Sequence, residues 1–151
     1  PYTDGAAVEL AQKMCGEAYG WGGLLGARDC SALVGDVYRC FGFLLPRNSG
    51  DLARLPHGIS LEGLTDGEKR KRLQAMPTGA ILYFPGHIML WLGEREGCPL
   101  CLSAAGNFLP VGSAGGVPRA VNTVAATSLD VVRANGKTWL ASLTRAVWPR
   151  L

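Results

Sequence analysis

A cysteine directly behind an aspartate, at the predicted start of a helix, is the strongest candidate nucleophile in the sequence. Asp29 is a good helix N-cap, and Cys30 would be the first residue of the helix that it starts. Unpaired backbone N–H groups and the positive end of the helix dipole stabilise a thiolate there, so we expect a lowered pKa for the Cys30 thiol. A thiolate can attack a carbonyl carbon and form an acyl-enzyme.

Such a nucleophile needs a base, and the sequence contains 2 histidines. His87 follows a Pro-Gly pair at the head of an apolar run, where a rigid backbone would hold its ring, whereas His57 lies in a loop. We therefore predict that His87 is the base and that His57 is a solvated loop residue. On residue types alone, an inert helix cysteine and a hydrogen-bonded core histidine remain alternatives.

Hydrophobic periodicity predicts the elements that position these residues. Asp4 is predicted to cap a helix that runs to about Ala18. Further helices are predicted from Cys30 to about Phe41, with Gly42 as a left-handed cap, and around Asp66–Gln74. A glycine-rich loop separates the first two helices. Short apolar runs in the second half predict antiparallel strands: GAILYF, HIMLWLG, PLCLSAA and VNTVAATSL. The run KTWLASLTRAV fits either a helix or a last strand.

Helices followed by strands predict an α+β fold, with the N-terminal helices packed on one face of a central antiparallel β-sheet. The 151 residues, 48% of them hydrophobic and 18% charged, predict a single domain over residues 1–151. The net charge of +3 gives no case for a nucleic-acid partner, because the basic run EKRKR has the pattern of a solvated helix face. No apolar run approaches the ~20 residues of a membrane span.

The five cysteines give no pattern for a metal or redox centre. They are Cys15, Cys30, Cys40, Cys98 and Cys101. The lone CxxC formed by the last two has no second CxxC and no nearby histidine, so we predict no zinc site; a local disulfide or two unpaired thiols are the alternatives. A redox protein is disfavoured because no βαβ pattern surrounds the motif. Cys15 and Cys40 lie on apolar helical faces and are expected in the core.

Four sequence blocks, in this order, resemble the NlpC-type cell-wall peptidases, a papain-like family of bacterial cysteine endopeptidases: YGWGG, RDCSALV, FGFLLPRNS and GHIMLWLG. The resemblance extends from about Tyr2 to Gly93. The segment NTVAATSLDVVRANGKTWLASLTRAV is similar to the tail of the subgroup whose catalytic domain follows Src-homology-3-like domains. The resemblance therefore implies a papain-like NlpC fold, no cofactor, and wall-binding domains preceding Pro1.

The resemblance also implies catalytic roles. Cys30 aligns with the nucleophile, and His87 aligns with the general base that later returns a proton to the leaving amine. Tyr19 matches the tyrosine that helps to stabilise the oxyanion. Ser103 stands at the position that holds the imidazole, where the family usually has His, Asn or Gln. Asn107 is the alternative for this role if the strand bends, and a small strand residue without a role is the third reading of Ser103.

Four further residues are implied to bind substrate. Asp29 and Ser31 match positions that line the groove, and in this family the aspartate commonly binds the free amino group of the substrate's first residue. Trp21, in the first block, belongs to the same group. Arg47 has the planar fork that suits a substrate carboxylate, with a surface salt bridge as the alternative.

The implied reaction is hydrolysis of peptidoglycan stem peptides at the bond between γ-D-glutamate and a diamino acid, through a thioester acyl-enzyme. An amidase or acyltransferase on the same fold is one alternative, and a catalytically degenerate domain that binds wall fragments is another. The implied substrate predicts a location in the cell envelope or outside the cell. A cytoplasmic enzyme of wall recycling remains the alternative.

Overall fold

The computed structural model describes residues 1–150 as helices arranged around one antiparallel sheet. The helices are α1 (Asp4–Lys13), α2 (Cys30–Arg39), α3 (Ser49–Ala53), α4 (Asp66–Gln74) and α5 (Trp139–Ser142). The strands are β1 (Gly58–Ser60), β2 (Ile81–Phe84), β3 (His87–Arg95), β4 (Cys98–Phe108), β5 (Arg119–Ser128) and β6 (Arg145–Val147). The α+β class predicted from the sequence is confirmed.

The 6-stranded sheet has the order β1-β6-β2-β3-β4-β5. Strands β2 to β5 are neighbours in sequence order, so hairpin connections bring them together. Strand β6 is different, because it inserts between β1 and β2 and pairs with both in antiparallel register. Val147 thereby lies opposite Gly58 on one side and opposite Ile81 on the other.

Helices cover both faces of the sheet, whereas the sequence predicted helices on one face. In β3, Ile88 and Leu90 pack in a cluster with α1 and α2, while Met89 and Trp91 pack in a second cluster with α4 and α5. All four side chains are buried. An uninterrupted apolar run such as HIMLWLG is what a strand covered on both sides requires, since neither face meets water.

The first helix is shorter than predicted and has a different cap. The hydroxyl of Thr3, rather than the carboxylate of Asp4, accepts the hydrogen bond from the Ala6 N–H at 3.0 Å. The helix ends at Lys13 instead of near residue 18, because the chain reverses at Gly16, which has a φ of 90°. This early end frees the following residues to form the loop that approaches α2.

The other helix predictions agree with the structure at most positions. Helix α4 spans the predicted residues, and α2 begins at Cys30 and ends at Arg39, followed by Gly42 with a φ of 88°. The ambiguous run KTWLASLTRAV contains both α5 and β6. The expectation of buried cysteines at 15 and 40 is wrong, because both follow the last buried turn of their helices and are exposed.

All five cysteines are free thiols. Among residues 1–150, no group of three or more His, Cys, Asp or Glu side chains is arranged to hold a metal ion. Within the same residues, every helix is too short or too polar to cross a lipid bilayer.

Tyr38 fixes α2 to the loop that leads into β2. Its ring is fully buried, and its hydroxyl donates a hydrogen bond of 2.6 Å to the carbonyl oxygen of Gly79. We expect Tyr38→Phe to lower the free energy of unfolding by about 1–2 kcal/mol, because the substitution leaves that carbonyl without its side-chain partner. Urea denaturation followed by circular dichroism measures the loss.

Tyr83→Phe is the matched control. Tyr83 is half-buried in β2, and its hydroxyl has no hydrogen-bond partner among residues 1–150. The control should change the unfolding free energy by less than about 0.5 kcal/mol. Equal losses in the two variants would contradict the role assigned to the Tyr38 hydroxyl.

Candidate active site

Cys30 lies at the junction of two adjoining hollows that together form a cleft. Cys30, Tyr19 and Gly86 line both hollows. One hollow, here called the His87 half, has a volume of about 350 Å³; the other, the Asp29 half, has a volume of about 400 Å³. Each is large enough for a few amino-acid residues of a substrate.

The start of α2 holds Cys30 in place. The side chain of Asp29 caps the helix by accepting a hydrogen bond of 2.8 Å from the Ala32 N–H. Behind Cys30, apolar side chains of α2 pack against the sheet, so the helix start is fixed relative to β3. The nucleophile candidate therefore sits on a capped, packed element, as the sequence predicted.

A tight turn places His87 at the start of β3. Phe84 and His87 are paired across the hairpin, and the connecting Gly86 has a φ of 98°, which favours glycine. The Nε2 atom of His87 lies 3.1 Å from the Oγ of Ser103, which is 1% exposed. With the ring proton assigned to Nε2, Ser103 accepts this hydrogen bond, and Nδ1 is left as the basic nitrogen.

Strand β4 does bend at Gly106, which was the condition for Asn107 to hold the imidazole. The register between β4 and β5 shifts between Ala105 and Asn107. Asn107 lines the His87 half of the cleft, but the hydrogen bond to the imidazole comes from Ser103. The structure thus brings Ser103, and not Asn107, to the ring.

In the Asp29 half, the carboxylate of Asp29 accepts several hydrogen bonds. Asp29 accepts hydrogen bonds from both terminal nitrogens of Arg47, at 3.1 and 2.8 Å, and from the backbone N–H of Gly22 at 3.1 Å. Ser31 donates to the same carboxylate at 3.2 Å and accepts from Arg47 at 2.7 Å. The planar fork of Arg47 is therefore occupied by an intramolecular salt bridge, which was the alternative to a contact with substrate.

Burial would raise the pKa of Asp29, but the salt bridge with Arg47 and the hydrogen bonds from Ala32 and Ser31 outweigh it and hold the pKa below its usual value. The carboxylate therefore stays charged at neutral pH. Its charge is balanced by Arg47, so this half of the cleft carries a neutral ion pair.

Tyr19 is held beside Cys30 by the backbone. Its N–H donates to the Asn122 carbonyl at 2.9 Å, and the next N–H, of Gly20, donates to the Arg28 carbonyl at 3.0 Å. Burial raises the pKa of Tyr19, and the charge of Asp29, or of Cys30 when it is a thiolate, would raise it further. Its hydroxyl therefore remains protonated and can donate a hydrogen bond.

Trp21 stands at the rim of the Asp29 half. It is 80% exposed, so its ring is available to a bound molecule. The irregular loop that carries it includes four residues with positive φ: Gly22, Gly23, Leu25 and Gly26. The glycine-rich run of the sequence thus serves to fold this loop back towards α2.

Three residues of the site were not found from the sequence: Phe84, Arg133 and Trp139. The Trp139 ring centroid lies 4.7 Å from that of His87, and the Phe84 ring centroid lies 5.6 Å from it. The guanidinium of Arg133 lies 4.6 Å above the centre of the Phe84 ring. Arg133 and Trp139 come from the segment between β5 and β6, and no local sequence signal connects that segment with His87.

Burial favours the uncharged forms of the two candidate catalytic side chains. It raises the pKa of the Cys30 thiol, against the backbone N–H groups of Ile88 and Ser31, which lower it. It also lowers the pKa of His87 to about 4, with a further contribution from the charge of Arg133. The predicted lowering of the thiol pKa is therefore wrong, because burial outweighs the effect of the helix start.

The lowered pKa of His87 predicts a pH-dependent stability. In the unfolded chain the imidazole takes up a proton near pH 6.5, whereas in the folded protein it does so only near pH 4. Stability is therefore lost as the pH falls from about 6.5 to about 4. We expect the protein to lose up to about 3 kcal/mol more unfolding free energy over this range than the His87→Asn variant.

Urea denaturation at pH 7 and at pH 4 measures this difference. The control is His57→Asn, at an exposed loop position whose φ of 63° also suits asparagine. This variant should keep the pH dependence of the parent protein. An unchanged pH dependence in His87→Asn would contradict the assignment of a partly buried imidazole with a lowered pKa.

Comparison with known proteins identifies the family of this chain. The sequence profile of the NlpC/P60 family matches residues 16–109, which include Cys30, His87 and Ser103. Over 89 residues the chain is 33% identical to dipeptidyl-peptidase 6 of Lysinibacillus sphaericus, an alignment that covers 58% of this chain and 28% of that protein. The chain therefore spans less than a third of the length of this curated relative.

Solved structures share the fold. An NlpC/P60 endopeptidase from Photobacterium damselae subsp. piscicida superimposes with a TM-score of 0.75 at 19% identity, over 93% of this chain and 37% of that one. The NlpC/p60 domain of the peptidoglycan hydrolase SagA gives a TM-score of 0.62 at 22% identity, over 98% of this chain and 100% of that one. Because the family profile matches more than half of the sequence, this protein belongs to the NlpC/P60 family of cysteine peptidases.

Proposed function

We propose that this protein is a cysteine endopeptidase that hydrolyses peptidoglycan stem peptides, with residues 1–151 as its catalytic domain. The observation that supports the proposal is the meeting of Cys30 and His87 in one cleft, with the imidazole hydrogen-bonded to a buried Ser103. Membership of the NlpC/P60 family supports the same chemistry. The substrate class agrees with the description of SagA as a peptidoglycan hydrolase.

The proposed reaction begins with two neutral side chains. As the Cys30 sulfur attacks the carbonyl carbon, the thiol proton passes to Nδ1 of His87, so that charge appears only during the reaction. The carbonyl oxygen becomes an oxyanion, which can receive hydrogen bonds from the Tyr19 hydroxyl and the Cys30 N–H. When the intermediate collapses, the imidazolium gives its proton to the leaving amine and a thioester remains.

Water completes the cycle. It enters the place left by the amine and loses a proton to His87 as it attacks the thioester carbonyl. The thiolate leaves and is protonated again by the imidazolium, so the acyl half departs as a carboxylic acid. No cofactor takes part in this sequence.

The two halves of the cleft suggest how the substrate lies. The leaving amine must reach the imidazole, so we assign the leaving group to the His87 half and the acyl group to the Asp29 half. Asp29, Ser31 and Trp21 would then bind the acyl side, including the free amino group of its first residue. Arg47 holds Asp29 in place and has no direct role towards substrate in this arrangement.

We propose the γ-D-glutamyl–diamino acid bond as the one cleaved, within a stem peptide whose first residue has a free amino group. An enzyme of this specificity acts on wall material, which places it in the cell envelope or outside the cell. If its substrates are instead peptides recovered from the wall, it would act in the cytoplasm.

The first test is mass spectrometry of stem peptides incubated with the protein. We expect cleavage of L-Ala-γ-D-Glu-meso-diaminopimelate after glutamate, and loss of at least about 10³-fold in rate in Cys30→Ala, because the nucleophile is removed. The control is Cys98→Ala, which removes another half-buried thiol away from the cleft. Its rate should stay within about twofold of the parent rate.

Other products distinguish the alternatives. Transfer of the acyl group to an added amine in preference to water would identify an acyltransferase. Binding of stem peptides without any product would identify a degenerate wall-binding domain, and would contradict the proposal.

The Ser103 hydroxyl is proposed as a positioning group for the imidazole. We expect Ser103→Ala to lower kcat about 10-fold and to leave KM within about twofold, because the ring loses the partner that fixes its tautomer while the substrate contacts remain. Steady-state kinetics on the same peptide measures both constants.

The control for this variant is Ser128→Ala, which removes a hydroxyl from the neighbouring strand, where it contacts Cys98. It should leave both constants unchanged. An unchanged kcat in Ser103→Ala, or a change confined to KM, would contradict the positioning role.

A further inference from the structure

Arg133 projects into the His87 half of the cleft from outside the part of the chain that matches the family profile, residues 16–109. A hydrogen-bonded turn between β5 and α5 holds its backbone. Its N–H donates to the Lys137 carbonyl at 2.9 Å, and its own carbonyl accepts from the Gly136 N–H at 2.9 Å. The Arg133 side chain therefore extends from a backbone segment that hydrogen bonds hold in place.

The guanidinium of Arg133 is oriented by an aromatic ring and not by an acid. It lies 4.6 Å from the centre of the Phe84 ring, a cation–π contact that uses none of the guanidinium N–H groups as hydrogen-bond donors. Among residues 1–150, no carboxylate lies within salt-bridge distance of it. Because Phe84 is paired with His87 across the hairpin, this contact also places the cation beside the imidazole.

The charges of the two halves differ. In the Asp29 half, the negative charge of Asp29 is balanced by the positive charge of Arg47. Among the residues described, no Asp or Glu lines the His87 half, where Arg133 is the cationic residue. An anionic group is therefore favoured in the His87 half, and a cationic group is disfavoured there.

We propose that Arg133 binds a carboxylate of the leaving group, and so selects stem peptides with meso-diaminopimelate over those with lysine. This inference rests on the proposed function, which assigns the leaving group to the His87 half. The two diamino acids differ at the end of the side chain, where diaminopimelate has an additional carboxylate. The planar fork of arginine can hold such a carboxylate through two parallel hydrogen bonds.

The test compares two peptides that differ in one charge. Both are L-Ala-γ-D-Glu-meso-diaminopimelate with the α-carboxyl of the diamino acid amidated; in the second peptide the side-chain carboxyl is amidated as well. We expect the protein to cleave the first with a kcat/KM at least about 10-fold higher than the second. The corresponding lysine peptide should be cleaved no faster than the second.

Arg133→Gln should bring the ratio of the two kcat/KM values to within about twofold, by slowing cleavage of the charged peptide. Arg133→Lys, which keeps the charge but loses the fork, should give an intermediate ratio. Lys137→Gln removes a charge from the same turn outside the cleft and should leave the ratio unchanged. A general effect of Arg133 on His87 would alter both rates alike, so the ratio reports recognition of the carboxylate.

The outcomes separate this inference from the function on which it rests. If the parent protein cleaves none of the peptides, the proposed function fails and the inference fails with it. If the parent protein cleaves them with a ratio near one, or if Arg133→Gln keeps the parent ratio, the inference is overturned and the proposed function stands.

Discussion

The capping interaction of the Asp29 carboxylate is the contact on which the rest of the site depends. The same group starts α2, anchors the loop that carries Trp21 through the Gly22 N–H, and holds Arg47. A helix cap normally satisfies one backbone N–H at an exposed end. Here the cap is 9% exposed and connects separate segments of the chain, so the position of Cys30 and the shape of the Asp29 half are set together.

Burial of the candidate catalytic pair, Cys30 and His87, disfavours their charged forms. The aromatic rings of Phe84 and Trp139 pack against the partly buried His87 and limit its contact with water. Burial of the two side chains disfavours both thiolate and imidazolium in the substrate-free protein. An ion pair formed during attack would in turn be stronger in this environment than in water. In the proposed reaction, the site would therefore stabilise charge that develops between the two side chains.

The sequence predicted the parts of the site that depend on local signals. An N-cap before Cys30, a Pro-Gly turn before His87 and an apolar strand around Ser103 are each visible in a few consecutive residues, and the family resemblance related them to one another. The end of α1 could not be predicted, since Gly16 stops the helix within a pattern that still looked helical. The thiol pKa was predicted in the wrong direction because burial depends on the complete fold.

Phe84, Arg133 and Trp139 show the other limit of sequence reasoning. From the sequence, Phe84 was only a predicted strand residue, and its place in the site follows from the Arg133 guanidinium that lies over its ring. Arg133 and Trp139 reach the site because β5 and β6 return the chain to the sheet, which no local pattern indicates. Arg47 was among the residues predicted from the sequence. Whether it contacts substrate or forms a salt bridge could not be decided without its distance from Asp29, which is 2.8 Å between the nearest atoms.

The insertion of β6 into the interior of the sheet affects the order in which the protein can assemble. During synthesis, one edge of β2 has no partner until residues 145–147 have emerged, and β1 has no other neighbour in the sheet. Pairing over so long a stretch of chain is slow, and an open edge can meanwhile join another molecule. The segment that precedes β6 also carries Trp139, so the nascent chain completes its sheet and encloses His87 in the same late step.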